Sequence, residues 1–238
     1  MPIYNVKLVN KEEIAKNTMA FYFEKPAGFE FIAGQSGDFT LINPPQTDQE
    51  GNLRSFSLAS APYEKNLMIA SRMRDTAFKR VLKQLPINSQ VMLDAPRGKF
   101  VLPSSDVTPV VFLTGGIGIT PVRSIIAQAT KDKLPHKLIL FYSNKTAQDA
   151  VFTSELEFFA KQNPHFIFIP VMTQVKPNNW QGESGHISKS MLQEYINNLT
   201  IPIYYLSGPP GMVASMRQIL MDAKISEDNI KTEQFLGY

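Results

Sequence analysis

The sequence predicts a six-stranded antiparallel β-barrel followed by a parallel-sheet α/β domain, and three observations carry that prediction. Up to Pro103, short apolar or alternating runs follow one another between turn residues, with a single helical pattern among them. Beyond Pro103, apolar strands alternate with amphipathic helices, which is the mark of a parallel α/β sheet. The third observation is the run Thr114-Gly115-Gly116-Ile117-Gly118-Ile119-Thr120-Pro121, a glycine turn set between such a strand and such a helix.

In the first part the strands are Val6–Val9, Met19–Phe23, Phe39–Ile42, Ser55–Leu58, Leu67–Ala70 and Val91–Asp94. Turn residues part them at Pro26-Ala27-Gly28, Asn43-Pro44-Pro45, Asp48–Asn52 and Pro96-Arg97-Gly98. One helix interrupts them, with Phe78, Val81, Leu82 and Leu85 on one face and Pro86 as its stop. In the second part the strands are Val110–Leu113, Leu138–Tyr142, Phe166–Met172, Ile203–Leu206 and a last one near Ile230–Phe235. Val122, Ile125, Ile126 and Ala129 stand at helical spacing after the glycine turn, with Thr120 as cap and Pro121 at the first helical position. Further helices begin near Ser154, where Glu157 completes a capping box, near Ser188, and at Gly211. The pattern predicts two domains, 1–104 and 105–238.

Composition narrows the functional classes. With 43% hydrophobic and 19% charged residues the chain builds ordinary cores. No apolar run nears the ~20 residues of a membrane-spanning helix, and the first residues lack the apolar core of a signal peptide, so a cytoplasmic location is expected. A net charge of +3 argues against a nucleic-acid partner. The absence of cysteine excludes disulfides, thiolate nucleophiles and a cysteine-ligated iron–sulfur cluster in this chain. His136, His165 and His186 show no ligand spacing, so no metal site is expected.

A strand, a glycine turn and an open helix N-terminus together suit a pyrophosphate, and the glycines let backbone approach a ligand. The turn starts only at residue 114, so a whole domain precedes it. Within that domain Arg54-Ser55-Phe56-Ser57 sets a cation, an aromatic ring and two hydroxyls on one strand. Taken in order, Arg54-x-Phe56-Ser57, Gly116-x-Gly118-x-x-Pro121 and Ser207-Gly208-Pro209-Pro210-Gly211-Met212 resemble the ferredoxin–NADP reductase family over nearly the whole chain. Ala33-Gly34-Gln35, Ala95 to Phe100 and Glu233-Gln234-Phe235 agree with that resemblance.

The resemblance implies a flavin-binding barrel, residues 1–104, followed by an NAD(P)-binding domain, residues 105–238. It implies FAD, with FMN left open, and NADPH or NADH as hydride donor to flavin N5. In the barrel, Arg54 would meet the flavin phosphates, Phe56 the isoalloxazine ring, and Ser57 the region of N5. The family usually has Tyr where Phe56 stands. Ala70, Ser71 and Arg72 would line the flavin, and Thr76 would open a helix toward its pyrophosphate, although Met73 stands where the family has glycine. In the second domain Thr114, Gly115, Gly116, Gly118, Thr120 and Pro121 would wrap the dinucleotide, with Ser143, Asn144 and Lys145 choosing between NADH and NADPH. Lys145 and Ser143 tilt that choice toward NADPH. Ser207, Gly208, Pro209 and Met212 would flank the nicotinamide, Ser207 taking the place of the family's cysteine. Glu233 would sit beside the nicotinamide, and Phe235 or Tyr238 would cover the flavin face. Ser57, Ser207 and Glu233 are thus the expected catalytic residues.

On this reading the chain is an NAD(P)H-dependent flavoprotein reductase that passes electrons to a ferredoxin-like or oxygenase partner, or to a small-molecule acceptor. Two alternatives stay open: an NAD(P)H:flavin reductase with free flavin as substrate, and a non-catalytic electron-transfer subunit of a larger complex.

Overall fold

A computed structural model describes residues 2–104, 108–174, 180 and 182–235. The strands β1 (Ile3–Ala15), β2 (Thr18–Glu24), β3 (Ser36–Leu41), β4 (Leu53–Ser57), β5 (Asn66–Arg72) and β6 (Gln90–Arg97) form one antiparallel sheet in the order β4-β3-β6-β1-β2-β5. Ala59 N–H donates to the Met68 carbonyl at 2.7 Å and Met68 N–H to Ser60 Oγ at 2.9 Å, which ties the two edges together. The barrel predicted from the strand pattern is present. Phe21, Phe23, Phe39, Leu67, Ile69 and Leu93 fill its interior. The helix α1 (Ala77–Gln84) lays Phe78, Val81 and Leu82 into the same core.

β1 runs far beyond the Val6–Val9 segment expected from apolar content. Its second half, Lys11-Glu12-Glu13, is charged yet pairs with β2, and register shifts at Leu8/Asn10 and Glu13/Ala15 let the strand bend around the barrel.

The second sheet is parallel throughout, in the order β10-β9-β8-β7-β11-β12. Its members are β7 (Val110–Gly115), β8 (Leu138–Asn144), β9 (Phe166–Met172), β10 (Glu183–Ser184), β11 (Ile203–Gly208) and β12 (Ile230–Gln234). Helices α2 (Ile119–Lys131), α3 (Thr153–Gln162), α4 (Lys189–Tyr195) and α5 (Pro210–Asp222) complete this part. β7 is buried at every residue because it feeds two cores. Val110 and Phe112 join the cluster shared with α2, while Val111 and Leu113 join the cluster shared with α5. The first of these clusters also takes in Ala33, Ala61, Ala70 and Phe100, so one apolar core runs from barrel to sheet.

Polar bonds fasten the same interface. Arg123, buried on α2, donates to Glu64 Oε1 at 2.9 Å, to Glu155 Oε2 at 2.6 Å and to the Ala59 carbonyl at 3.0 Å, and Ser124 Oγ donates to the Ser60 carbonyl at 2.7 Å. Among the described residues no helix is long and apolar enough to cross a membrane.

One cap assignment in this domain changes at α3. The start of α3 has Phe152 at its N-cap in a left-handed conformation, and the Ser154–Glu157 box does not form. The capping box of this region is instead Thr146–Asp149, in the short turn just before. Ser188 does cap α4, accepting Met191 N–H at 3.2 Å.

Candidate active site

In an open parallel sheet the ligand crevice lies at the carboxyl ends of strands where the chain's direction of travel reverses. Here β7 leads outward through β8, β9 and β10, and the chain then returns to place β11 and β12 on the other side of β7. The reversal falls between β7 and β11, and the register sets Thr114 against Ser207 and Ser207 against Glu233. Three residues spread over half the sequence thereby become neighbours across three strands.

The glycine turn is tighter than expected. Gly116–Gly118 form a 3₁₀ turn, Gly116 has φ +51°, and α2 begins at Ile119 with Gly118 as a cap that carries no side-chain bond. Thr120 is therefore not the cap; its hydroxyl donates back to the Ile117 carbonyl at 3.0 Å. Pro121 lies inside the first turn rather than at its first position, and like Thr114 and Thr120 it is buried.

The glycines at 115 and 118 serve contacts within the protein. A Cβ on Gly118 would stand 2.5 Å from the backbone of Ser207 and 2.6 Å from Gly208 N, and one on Gly115 would strike the Met212 sulfur. The loop after β7 and the loop after β11 are packed together with no room for a side chain. Ser207 pins them further: it is fully buried, and its Oγ donates to the Gly118 carbonyl at 2.8 Å. Gly208, at φ +153°, is held by Phe235 N–H donating to its carbonyl at 3.1 Å.

Opposite this crevice the barrel presents a cleft of about 390 Å³. Phe56, Ser57, Ala70, Ser71, Arg72 and Thr76 line it together with Arg54, while Ile117, Glu233 and Phe235 enter from the second domain. The expected flavin residues are brought together, with Tyr238 outside the described residues. Ser57 Oγ donates to Glu233 Oε1 at 3.0 Å, a bond between the two domains. Burial lifts the Glu233 carboxyl from its ordinary 4.5 to about 7, against the opposing pull of the Ser57 hydroxyl. Its second oxygen, Oε2, is buried with no partner among the described residues. Ser207 stands beside Glu233 in the sheet, but its hydroxyl turns to the glycine turn.

The other end of the cleft is cationic. Arg54, Arg74 and Lys79 meet there, and α1 starts there with Thr76 Oγ1 accepting Lys79 N–H at 3.4 Å. Burial, with help from Arg74 and Arg54, pushes the Lys79 ammonium down to about 8. An anion placed here would reverse that. Sequence reading missed Lys79. The signal for Lys79 was its place three residues after Thr76 in the first turn of a helix already singled out.

At the end of β8, Ser143 is half-buried, Asn144 is 5% exposed with neither amide atom partnered among the described residues, and Lys145 is exposed. Arg72 Nη1 lies 3.9 Å from Asp149, which links the barrel cleft to this corner of the second domain. Among the described residues no acidic, histidine or cysteine group could hold a metal ion.

The donor set fits a flavin. A hydroxyl and aromatic wall at Phe56 and Ser57 suits a flat polar ring, the cationic end suits phosphate, and Glu233, with one buried carboxyl oxygen unpartnered among the described residues, belongs to the lining.

Comparison with known proteins agrees. The oxidoreductase NAD-binding domain matches residues 112–218. Over 215 residues, 84% of this chain and 53% of the relative, it is 26% identical to one subunit of the Na(+)-translocating NADH-quinone reductase of Klebsiella pneumoniae. It is also 26% identical to the phenol hydroxylase P5 protein of Acinetobacter pittii, across 98% of this chain and 66% of that one. The chain thus spans about half to two thirds of the length of these curated relatives. A ferredoxin NADP+ reductase from Neisseria gonorrhoeae, solved with bound FAD and NADP, superposes with a TM-score of 0.82 over 98% of both chains at 21% identity, which establishes the shared fold. Residues 112–218 thus form an oxidoreductase NAD-binding domain, and the whole chain has the two-domain fold of the ferredoxin NADP+ reductase, barrel first and nucleotide-binding sheet second.

Proposed function

We propose that the chain is an NAD(P)H-dependent flavoprotein reductase whose catalytic centre is the Ser57–Glu233 contact, with electrons leaving for a separate carrier such as a ferredoxin-like protein or an oxygenase component. The contact carries the reading: it is where a barrel hydroxyl and a buried carboxyl from the nucleotide domain meet on one cleft wall. A flavin bound in that cleft supplies two-electron exchange with a nicotinamide and one-electron exchange with an acceptor.

The protein's share is binding, orientation and proton handling. Arg54, Lys79 and the start of α1 supply positive charge at one end of the cleft, and Phe56, whose ring packs against Phe78 of α1, adds an aromatic side chain to the lining. The packed loops around Gly118 and Ser207 set the depth to which a dinucleotide enters at β7 and β11. With its carboxyl near 7, Glu233 is partly protonated in neutral solution; Oε1 accepts the Ser57 hydroxyl at 3.0 Å, which leaves Oε2 to carry the proton. Ser207, buried and bonded to Gly118, positions the loop rather than reaching the reacting atoms. Lys145, exposed at the end of β8, favours NADPH through the 2′-phosphate.

The test is direct. Purified protein that stays yellow after desalting and oxidises NADPH or NADH with ferricyanide supports the reading, and the ratio of the two rates settles the donor. Protein that is colourless but reduces added riboflavin would make flavin a passing substrate. That second reading draws on one observation, the engagement of Arg54 by Glu50 at 2.6 Å.

A further inference from the structure

Two carboxylates meet the cationic end of the cleft, Glu50 in its lining and Asp48 next to that lining, on the N-terminus of α1. Ala77 N–H, the first backbone donor of α1, donates to Asp48 Oδ2 at 2.8 Å. Asp48 Oδ1 accepts Glu50 N–H at 3.0 Å and lies 3.6 Å from Arg54 Nη2. The same guanidinium nitrogen donates to Glu50 Oε2 at 2.6 Å, and Arg54 Nη1 donates to the carbonyls of Glu50, Gly51 and Leu53. Asp48 and Glu50 belong to the connection between β3 and β4, whereas α1 lies 29 residues further along the chain from Asp48.

Asp48 is not needed as the cap of α1, because the Thr76 hydroxyl fills that role by accepting Lys79 N–H. What it does is bridge an arginine and a helix N-terminus with two carboxylate oxygens. Those are the contacts a phosphate would make at the same place. The contact persists over a wide pH range, since the Ala77 N–H holds the Asp48 carboxyl below the usual carboxylate range.

We infer that Asp48, with Glu50 beside it, is a built-in competitor for the flavin phosphates and so sets which flavin the cleft prefers. The inference rests on the reading of the cleft as a flavin site. A flavin that carries phosphate has to displace Asp48 from Ala77 N–H and Glu50 from Arg54. Riboflavin has no group to place there and meets no competition. The acidic pair therefore narrows the affinity gap between FAD or FMN and riboflavin, and it makes bound flavin easier to exchange.

The experiment titrates riboflavin, FMN and FAD separately into full-length protein stripped of flavin, following the quenching of flavin fluorescence, for wild type, Asp48→Asn and Glu50→Gln. Asparagine keeps an oxygen for Ala77 N–H while the charge is lost, and Thr76 still caps α1; Glu50→Gln leaves α1 untouched and answers the question if the first variant folds poorly. Losing one charge-assisted competitor is expected to tighten FAD and FMN about tenfold while moving riboflavin less than about twofold. Unchanged or weaker FAD binding in both variants, or an equal shift for all three flavins, overturns the inference and leaves the flavin site standing. If no flavin binds wild type or variants, the flavin reading itself fails and takes this one with it.

Discussion

Replacing Glu233 with glutamine removes a titration that the structure places where the two domains meet in the cleft. In the folded chain burial lifts this carboxyl from 4.5 to about 7, and the Ser57 hydroxyl only partly offsets the lift. A raised pKa means that the folded state binds the proton more tightly than the unfolded chain. The associated stability is complete below about pH 4.5 and is lost progressively as pH rises toward about 7, after which the loss is constant. A displacement from 4.5 to about 7 is worth about 3 kcal/mol. Glutamine has the shape of the protonated acid and can still accept from Ser57, so Glu233→Gln should match wild type near the acid end and exceed it by up to about 3 kcal/mol near pH 8. For a chain of this size that is a difference of roughly 6–12 °C in Tm. Urea unfolding of both proteins at the two pH values measures it, and taking the difference between the proteins cancels the other carboxylates that titrate over the same range. The same variant should lose the pH dependence of nucleotide oxidation centred near 7, with a lower rate. A stability gap that is the same at both pH values, to within about half a kcal/mol, would refute the assignment of a raised pKa to Glu233.

Three further outcomes follow from the same geometry. Ser57→Ala removes the hydrogen bond that favours the charged form of Glu233, so the midpoint of the pH–rate profile should move up; a midpoint that stays or falls sinks the pairing. In Gly118→Ala the new Cβ meets Ser207 backbone at 2.5 Å, and the forced shift of the two loops should cost about 1–3 kcal/mol in denaturant unfolding and raise the KM for nucleotide more than it lowers kcat. An unchanged KM would show that the glycine turn does not set nucleotide position. Arg123→Met leaves Glu64 and Glu155 without their shared cation and should cost about 3 kcal/mol, with the barrel and the α/β domain unfolding in separate steps; a single unchanged transition would argue that the apolar core alone joins them.

What could be read from the sequence was what local chain physics encodes. β7 is a run of apolar residues because both of its faces are covered, and α4 starts at Ser188 because the hydroxyl finds its own backbone three residues on. The strand–glycine–helix unit at residues 114–121 is equally local. Long-range pairing is invisible to such reasoning. The charged half of β1 has no strand pattern of its own and is a strand because β2 supplies its partners. Two-residue β10 is too short to leave any period and exists by pairing with β9. The α3 cap failed for the opposite reason: a Ser-x-x-Glu pattern was present, but Phe152 in a left-handed turn set the helix start and placed the box at Thr146–Asp149 instead.

The site divides along the same line. The residue types around the cleft were legible because they came as a resemblance, but their partners were not. Nothing local to Ser57 points to Glu233, 176 positions away, and nothing local to α1 points to Asp48. The glycines show why the distinction matters. From sequence alone, Gly115 and Gly118 read as room for a ligand's phosphates; in the fold their missing side chains make room for Met212 and for the Ser207 backbone. The loop's tightness is thus a property of the protein before any nucleotide arrives. A dinucleotide at β7 and β11 would meet a surface already fixed by packing within the chain, and Ser207 belongs to that surface as a buried pin. On the proposed function the chemistry would then fall to the groups that line the cleft, chiefly Ser57, Glu233 and the cations near α1.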